Sequence, residues 1–288
     1  MKKYILSSFV LLLLVLTSAV SFAQEEEEEK KKDKPVRDPY MASALIENQT
    51  IVGVSAKRLE LIIQHRMGSV GNGLTDLYGI YGASNIRMGL EYGITDKLTV
   101  GVGTEKNNKL TDINGKYSIL EQTRKGSMPL AVSVYGNVAI DSRDEEVFGT
   151  EYESTDRFSY FFQVLASRKF TDRISIMLAP SYSHFNSVDS LYQNDKIGLM
   201  LGGKVTIYNS ISAIFEYHQP FSINPVQDHQ ADIEPGAAIG FEIATATHAF
   251  QIFAGNYQHL MPQKNYVMNT NKFDSDGIVI GFNVNVRF

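Results

Sequence analysis

The sequence predicts an all-β protein: an antiparallel, up-and-down transmembrane β-barrel of about twelve strands, preceded by a signal peptide and a disordered charged tether. Three observations predict this fold. The chain opens with an export signal, its strand-like segments are joined by alternately short and long connections, and it ends in a strand with a terminal Phe. We therefore divide it into a signal peptide at 1–23, a periplasmic low-complexity tether and lead-in at 24–54, and an outer-membrane barrel at 55–288.

The first 23 residues have the three parts of a secretory signal peptide. Lys2 and Lys3 supply positive charge, residues 9–16 are apolar, and residues 21–23 form a small-x-small cleavage site. The apolar stretch is short for a membrane span of about 20 residues, which favours a cleaved signal over an anchor. The rest of the sequence offers no apolar stretch of that length. A membrane protein with this sequence has to be a barrel, because only helices and closed barrels satisfy their backbone polar groups in lipid.

Composition narrows the classes of site and partner. The 288 residues include no Cys, which excludes a lipoprotein anchor, a structural disulfide and a thiolate metal site. Removal of residues 1–23 takes away Lys2 and Lys3 and leaves 25 basic and 32 acidic residues, a net charge of −7. This acidic balance argues against a nucleic-acid partner, and we expect no cofactor.

The segment after the signal peptide is dominated by charge. Five Glu at 25–29 run into Lys at positions 30, 31, 32 and 34, and such blocks of like charge repel and stay solvated. We interpret it as a disordered periplasmic tether, with a partner-binding tail at 25–34 as the alternative. Residues 39–49 are less polar and fit either a short plug or a lead-in to the barrel.

From about residue 55 onward, apolar and polar residues alternate with period two, which is typical of strands. In the second candidate, for example, Met88, Leu90 and Tyr92 oppose Arg87 and Glu91. The candidates lie at about 55–67, 80–93, 98–105, 116–123, 129–140, 157–169, 174–184, 196–207, 211–219, 236–244, 248–257 and 277–288. The fourth has the weakest pattern.

The connections favour a membrane barrel over a soluble sheet. The even-numbered strands are predicted to be followed by short turns, and the odd-numbered strands by longer polar loops. An even strand number with short periplasmic turns and long outer loops is the pattern of outer-membrane barrels, and it places both termini in the periplasm. In the alternative, a soluble sandwich or lipocalin-like barrel, the apolar face would point inward and the loops would not alternate.

The last strand, at 277–288, alternates without a break and has its apolar residues on one face. A terminal strand of this kind is read by the barrel assembly machinery in bacterial outer-membrane proteins, and it has to pair with the first strand to close the sheet. The residues predicted to form the assembly signal are Phe282, Val284, Val286 and Phe288.

Several motifs resemble an uncharacterised outer-membrane β-barrel family of Bacteroidota. Residues 63–68 (Ile-Gln-His-Arg-Met-Gly) are similar to its leading strand, Ile-x-His-Arg-Phe-Gly, with Met67 in place of the usual Phe. Residues 85–93 fit the following Asn-Ile-Arg-x-Gly-x-x-Tyr-Gly, and residues 116–122 also fit. The resemblance covers most of the chain from about residue 44. It implies fold and location only, since the family has no established activity.

The predicted inward face carries a nearly balanced set of charges, which cost far less in a lumen than against lipid. The candidate lumen-lining residues are Arg58, Glu60, Arg66, Arg87, Glu91, Glu105, Lys204, Glu216, Glu242 and Arg287. Twelve strands about 4.8 Å apart and tilted by about 40° give a backbone diameter of roughly 24 Å, which leaves about 10 Å between side chains. A narrow conduit lined by these charges and a closed lumen held by salt bridges both fit this size.

Sites for metal binding and catalysis are weakly indicated. We assign no metal site; His65, His184 and His218, near the outer ends of their strands, are weak candidates because their spacing matches no metal motif. Residues 274–277 lack the Glu that a calcium loop needs. We assign no catalytic residue either, although a barrel lipase could be built on Ser183 with His184, or on His65 with a nearby Ser.

Three functions follow from these residues. The leading hypothesis is a narrow porin-like channel for small polar solutes in the outer membrane. The alternatives are a non-conducting structural or scaffold barrel that binds a partner, and a barrel lipase that acts on outer-membrane lipid. The expected partners are outer-membrane lipid, the assembly machinery and a periplasmic protein on the 25–34 tether.

Overall fold

The computed structural model describes residues 33–288, so the predicted signal peptide and residues 24–32 of the tether lie outside the described residues. We number the strands in chain order. They are β1 (Leu59–Ser69), β2 (Asn85–Gly93), β3 (Leu98–Glu105), β4 (Leu110–Leu120), β5 (Ala131–Asp141), β6 (Phe158–Lys169), β7 (Ile174–Phe185), β8 (Asp195–Tyr208), β9 (Ile211–Ser222), β10 (Gly236–Ala244), β11 (His248–Gly255) and β12 (Val279–Arg287). An α-helix, α1 (Pro262–Met268), lies between β11 and β12.

The strands form a closed barrel in which each strand pairs antiparallel with its sequence neighbours, and β12 pairs with β1. At this seam Glu60 lies opposite Arg287 and His65 opposite Phe282, and the register shifts between Arg66 and Ser69. The predicted up-and-down barrel of twelve strands, closed by the last strand, is confirmed.

The two faces of the strands differ in polarity as the alternation predicts. On β2, Met88 and Leu90 are 52% and 44% exposed on the outer face, whereas Arg87 and Glu91 are buried inside. An apolar outer surface around a polar interior is the arrangement that a barrel needs in lipid. Among residues 33–288, no helix combines the length and the apolar character needed to cross a bilayer.

The fourth strand differs from its prediction. It spans Leu110–Leu120 rather than 116–123, so the β3–β4 connection is short and residues 121–130 form a longer connection to β5. The sequence resembled a polar loop before residue 116 because Asp112 and Asn114 point into the barrel, where they are buried. Polar inward residues therefore hid the start of the strand.

Residues 38–54, which we call the inner hairpin, enter the barrel. Residues 42–50 are all buried, and the segment turns back on itself where Leu45 N–H donates to Asn48 C=O at 2.9 Å. Its entry is at the end that carries the even-numbered turns, since Val36 N–H donates to Gln122 C=O at 2.9 Å between β4 and β5. Of the two alternatives for residues 39–49, the structure shows a segment inside the lumen.

The opposite end of the barrel is covered by the connection between β11 and β12. This segment folds inward, with residues 260–267 buried, and α1 contacts β6, β7, β8 and β9. The barrel interior is thus occupied from both ends, by the inner hairpin on one side and by α1 on the other.

Candidate functional site: the occupied lumen

The lumen has a charged wall and an apolar wall. The charged residues come mainly from β1–β4 and β10–β12. Along these strands, charged residues alternate with apolar ones. The apolar wall comes mainly from β5–β9 and includes Phe161, Leu165, Met177, Met200 and Ile214. The inner hairpin lies between the walls. Its backbone groups form hydrogen bonds with the lining, and its apolar side chains pack against it.

Glu216 on β9 holds the turn of the inner hairpin. Its Oε2 accepts hydrogen bonds from the backbone N–H groups of Ile46, Glu47 and Asn48 at 3.3, 3.1 and 3.2 Å. Its Oε1 accepts from Asn48 Nδ2 at 2.6 Å and from the Tyr257 hydroxyl at 3.3 Å. Hydrogen bonds to an ionised carboxylate are about twice as strong as neutral ones, so this residue is a strong anchor.

Arg66 on β1 binds the same turn from the other side of the lumen. Its Nη2 lies 2.9 Å from Glu47 Oε2 and donates to the Ile46 carbonyl at 3.2 Å, and both members of the ion pair are fully buried. Its Nη1 donates to Asn283 Oδ1 at 3.0 Å, and its guanidinium lies 4.5 Å from the centroid of the Phe253 ring. These contacts hold the terminal nitrogens of Arg66, while its Nε and Glu47 Oε1 are buried without a hydrogen-bond partner among residues 33–288.

The two legs of the hairpin are bound near the end where the hairpin enters. Lys116 Nζ donates to the carbonyls of Ser43, Thr50 and Val52 at 3.0, 3.3 and 2.6 Å, and to Gln49 Oε1 at 2.8 Å. An ammonium with four oxygen neighbours stabilises backbone carbonyls that would otherwise be buried without a partner.

Glu60 connects the hairpin to the seam of the barrel. It accepts hydrogen bonds from Ser43 Oγ at 2.9 Å, Asn285 Nδ2 at 2.6 Å and Arg287 Nε at 2.9 Å. The same carboxylate therefore joins β1, β12 and the inner hairpin. Glu60 therefore stabilises both the β1–β12 seam and the position of the inner hairpin.

A second ion pair lies within the wall. Arg87 on β2 and Asp112 on β4 form two hydrogen bonds, Nε to Oδ1 and Nη2 to Oδ2, each 2.9 Å long. Arg87 also donates to Gln64 Oε1 at 3.2 Å. This bidentate pair spans β3, where the absence of a side chain at Gly103 leaves room for the Arg87 guanidinium.

The hairpin and α1 meet in the middle of the barrel. Asn48 Oδ1 accepts hydrogen bonds from Gln163 Nε2 at 2.9 Å and from the Tyr266 hydroxyl at 3.2 Å. From the same helix, Gln263 Nε2 donates to Asn137 Oδ1 at 2.9 Å and to Ser159 Oγ at 3.2 Å. The hairpin and α1 therefore bind each other and the wall inside the lumen.

Residues 40–288 match the family described as membrane bound beta barrel domain (DUF5777). The chain belongs to this family. The predicted resemblance to an uncharacterised family of membrane barrels is thereby confirmed, and the family description together with the fold supports an outer-membrane location.

Solved structures show the same kind of fold for this DUF5777 barrel. The KdgM porin is similar with a TM-score of 0.50 and 10% sequence identity, over 80% of this chain and 99% of that chain. The NanC porin has a TM-score of 0.49 and 11% identity, over 80% of this chain and 98% of that chain. At 10% identity the likeness to the KdgM porin concerns the fold alone. No protein with a curated function matches the chain in sequence.

The DUF5777 barrel buries nearly all of the predicted lumen residues. Buried inside the barrel are Glu60, Arg66, Arg87, Glu91, Glu105, Lys204, Glu216 and Glu242, and Arg287 is partly buried. Arg58 differs, because it precedes β1 and is exposed at the rim beside Phe288. The residues share an interior, but they are spread around it. Some bind the inner hairpin, as Arg66 and Glu216 do, whereas Glu105 and Glu242 accept hydrogen bonds from the wall amides Asn85 and Gln251.

The predicted assembly residues lie on the outer face of β12. Phe282, Val284 and Val286 are partly exposed there, and Phe288 is 61% exposed just beyond the end of the strand. Phe288 N–H donates to the Leu59 carbonyl at 2.9 Å, so the C-terminus is tied to the start of β1. Recognition of these residues by the assembly machinery stays a prediction.

The weak metal candidates do not come together. His65 faces outward and stacks on Phe282 with ring centroids 4.9 Å apart, and His184 faces outward beside Asp195 at 2.7 Å. His218 is buried in the lumen against Tyr257 and Tyr266. Within residues 33–288, no group of three or more His, Cys, Asp or Glu side chains is arranged to hold a metal ion.

The geometry does not support the lipase built on neighbouring residues. Ser183 is buried on the inner face of β7, whereas His184 points to the outer face because successive strand residues alternate. A serine nucleophile and its base need hydrogen-bond contact, which this arrangement prevents. His184 instead contacts Asp195 Oδ1 and Asn186 Oδ1 at 2.7 and 3.0 Å.

Several residues that support the site were absent from the sequence prediction. Asp112 lies in the part of β4 that the prediction missed, and Lys116 lies in the predicted strand but was not assigned to the lumen. Their alternation with Ile113 and Tyr117 was a usable signal. Glu47 and Asn48 lie before the barrel, and nothing in their local sequence indicates partners on β1 and β9. Their roles depend on the folded barrel.

Proposed function

We propose that this protein is a porin-like outer-membrane barrel that is closed at rest by its inner hairpin. Small polar solutes pass only when the hairpin is displaced. The observation that carries the proposal is the burial of nine consecutive hairpin residues, 42–50, inside a closed barrel. A segment that fills the lumen over this length excludes a permanently open passage.

The charged wall supports conduction in the displaced state. Glu60, Arg66, Lys116 and Glu216 bind the hairpin now and would face the vacated space after its removal. Buried charges that lose their partners are stabilised only by water or by polar solute. The vacated lumen would therefore hydrate along this wall, and the charges would set which small polar solutes enter.

A second candidate, a non-conducting barrel that binds a partner, is favoured by the apolar wall. Tyr40, Leu45 and Ile46 of the hairpin pack in one cluster with Phe161 and Met200. Displacement exposes these side chains at a cost of about 25 cal/mol for each Å² of apolar surface. If this cost keeps the hairpin in place, the barrel serves as a scaffold.

The direction of entry suggests where a partner would act. The chain leads into the hairpin at the end with the even-numbered turns, which we place in the periplasm. A periplasmic protein that binds the tether at 25–34 would be positioned to pull on the hairpin, and this partner belongs to the proposal under either candidate.

Single-channel recording in planar bilayers tests the proposal. The variants are the mature chain, a chain that starts at residue 55 and so lacks the hairpin, and a control that lacks only residues 24–33. We expect current steps from the first truncation and rare or no steps from the other two. Far-UV circular dichroism and heat-modifiable gel migration check that each barrel is folded.

The remaining outcomes discriminate between the candidates. Equal, steady conductance from all three chains would overturn closure by the hairpin. A folded, hairpin-free barrel without current would show that displacement of the hairpin is not sufficient to open the lumen, which overturns this gating proposal and favours the scaffold. As a second route to the same answer, a Glu216→Gln, Lys116→Met variant retains the hairpin and should show more frequent openings than the native chain.

A further inference from the structure

A separate cavity of about 490 Å³ lies at the loop end of the barrel, above α1. It is formed by the connections between β5 and β6, between β7 and β8, and by α1. Its lining combines basic residues with apolar ones, among them Arg143, Phe148, Arg157, Phe185, Lys264 and Met268. None of these residues contacts the inner hairpin through a hydrogen bond or an ion pair in the described part of the chain.

Lys264 is the notable member of this lining. It lies on α1 and is 93% buried, since only 7% of its surface is accessible. Among residues 33–288 its ammonium has no hydrogen-bond or ion-pair partner. The nitrogen is not fully enclosed, because some of its surface remains accessible. The ammonium is therefore reached from the cavity and lacks an acceptor there.

None of the neighbouring carboxylates within residues 33–288 forms an ion pair with Lys264. Glu105 is beyond ion-pair distance and accepts a hydrogen bond from Asn85 Nδ2 at 2.8 Å. Asp141 is paired with Arg143 at 2.6 Å. The remaining acids of the lining, Asp156 and Asp189, accept from backbone N–H groups at 2.9 Å.

The two other cations of the cavity, Arg143 and Arg157, are already bound, and Arg143 pairs with Asp141. Arg157 Nη1 donates to the carbonyls of Asp141 and Arg143 at 2.8 and 2.6 Å, and its guanidinium lies over the rings of Phe148 and Tyr152. Arg157 thus fixes the loop between β5 and β6 and shapes the apolar side of the cavity. Lys264 is left as the unmatched charge.

We propose that this cavity binds a small organic carboxylate, whose anionic group pairs with the Lys264 ammonium and whose apolar part lies against Phe148 and Met268. A buried ammonium without an acceptor is costly, and a carboxylate supplies charge-assisted hydrogen bonds to it. Burial also holds the pKa of Lys264 below its ordinary value, and the nearby charge of Glu105 opposes this effect. A bound anion would further stabilise the charged ammonium. The inference does not depend on whether the barrel conducts.

Benzoate is the probe for this site, and benzamide is its uncharged counterpart of the same shape. Binding is measured by saturation-transfer NMR on the full chain in detergent. We expect saturable benzoate binding in the millimolar range and much weaker benzamide binding. Lys264→Met should weaken benzoate binding by about tenfold or more, and Lys264→Arg should retain most of it.

The control is Lys272→Met, since Lys272 is exposed in the same connection between β11 and β12 but does not line the cavity. Circular dichroism verifies the fold of each variant. The proposal is overturned if the native chain binds no benzoate, if benzamide binds equally well, or if Lys264→Met and Lys272→Met bind benzoate alike.

Discussion

The Tyr266 hydroxyl donates to Asn48 Oδ1 at 3.2 Å in the middle of the barrel. Asn48 belongs to the inner hairpin, which enters at the turn end, and Tyr266 belongs to α1, which folds in from the loop end. Their contact shows that two segments from opposite ends close one lumen. Each of the following predictions tests one part of this arrangement.

Glu216→Gln should loosen the hairpin turn. The substitution removes the charge that accepts five hydrogen bonds and places an amide donor near three backbone N–H groups. We expect the free energy of unfolding to fall by about 1.5–3 kcal/mol. Urea unfolding in detergent micelles measures it, with Glu121→Gln, an exposed carboxylate between β4 and β5, as the matched control. Equal midpoints for the two variants would count against the anchor role of Glu216.

Arg66→Met should be strongly destabilising because it leaves Glu47 buried without its cation. Breaking a buried pair costs about 3–5 kcal/mol, whereas replacing both partners with apolar residues costs much less. The double variant Arg66→Met, Glu47→Met should therefore recover most of the stability that Arg66→Met loses. A double-mutant cycle from urea unfolding measures the coupling. Additive losses would show that Arg66 acts through Asn283 and Phe253 instead.

A disulfide should form between cysteines placed at Gly53 and Thr99. A Cβ built on Gly53 lies 4.0 Å from Thr99 Cβ, within the range of about 3.5–4.5 Å found in disulfides. The natural chain has no Cys, so the engineered bond is the only disulfide possible within one chain. Mass spectrometry of the non-reduced protein detects it.

The control for this cross-link is Gly53→Cys with Thr111→Cys, because Thr111 is exposed on the outer face of β4. The paired variant should be oxidised and the control should remain reduced. Two reduced variants would indicate that residues 38–54 spend little time inside the lumen.

Phe288→Ala should lower the amount of barrel in the outer membrane. Phe288 ends the outer face of β12, where we predict that the assembly machinery reads the last strand. The heat-modifiable band in membrane fractions measures the folded amount. Phe273→Ala is the matched control, since Phe273 is 63% exposed in the connection before β12 and Phe288 is 61% exposed. Similar losses from both would argue against a specific signal at the C-terminus.

The strands were largely predictable because the information is local. The alternation of Met88, Leu90 and Tyr92 with Arg87 and Glu91 can be recognised within one segment, and it predicts both the strand and its buried face. The start of β4 was the exception, since Asp112 and Asn114 are polar as in a loop but lie inside the barrel, as Lys116 does. Their partners, Arg87 on β2 and the inner hairpin, lie outside the segment.

The candidate site was predictable only as a set of inward charges. Arg66 and Glu216 were assigned to the lumen from their place in the alternation, but their common target, the turn of the inner hairpin, was not. Arg58 shows the limit of the same rule, because the alternation continued past the start of β1 while the strand did not.

The sequence by itself determined that this protein is a β-barrel with an apolar outside, a charged inside and a closing last strand. Period-two alternation and an even number of strands require no knowledge of distant contacts. Only the tertiary structure decided that the lumen is occupied. Glu216 and Asn48 are 168 positions apart, and Tyr266 and Asn48 are 218 positions apart. Such contacts form only after the sheet has closed around the hairpin, so no local pattern in the chain contains them.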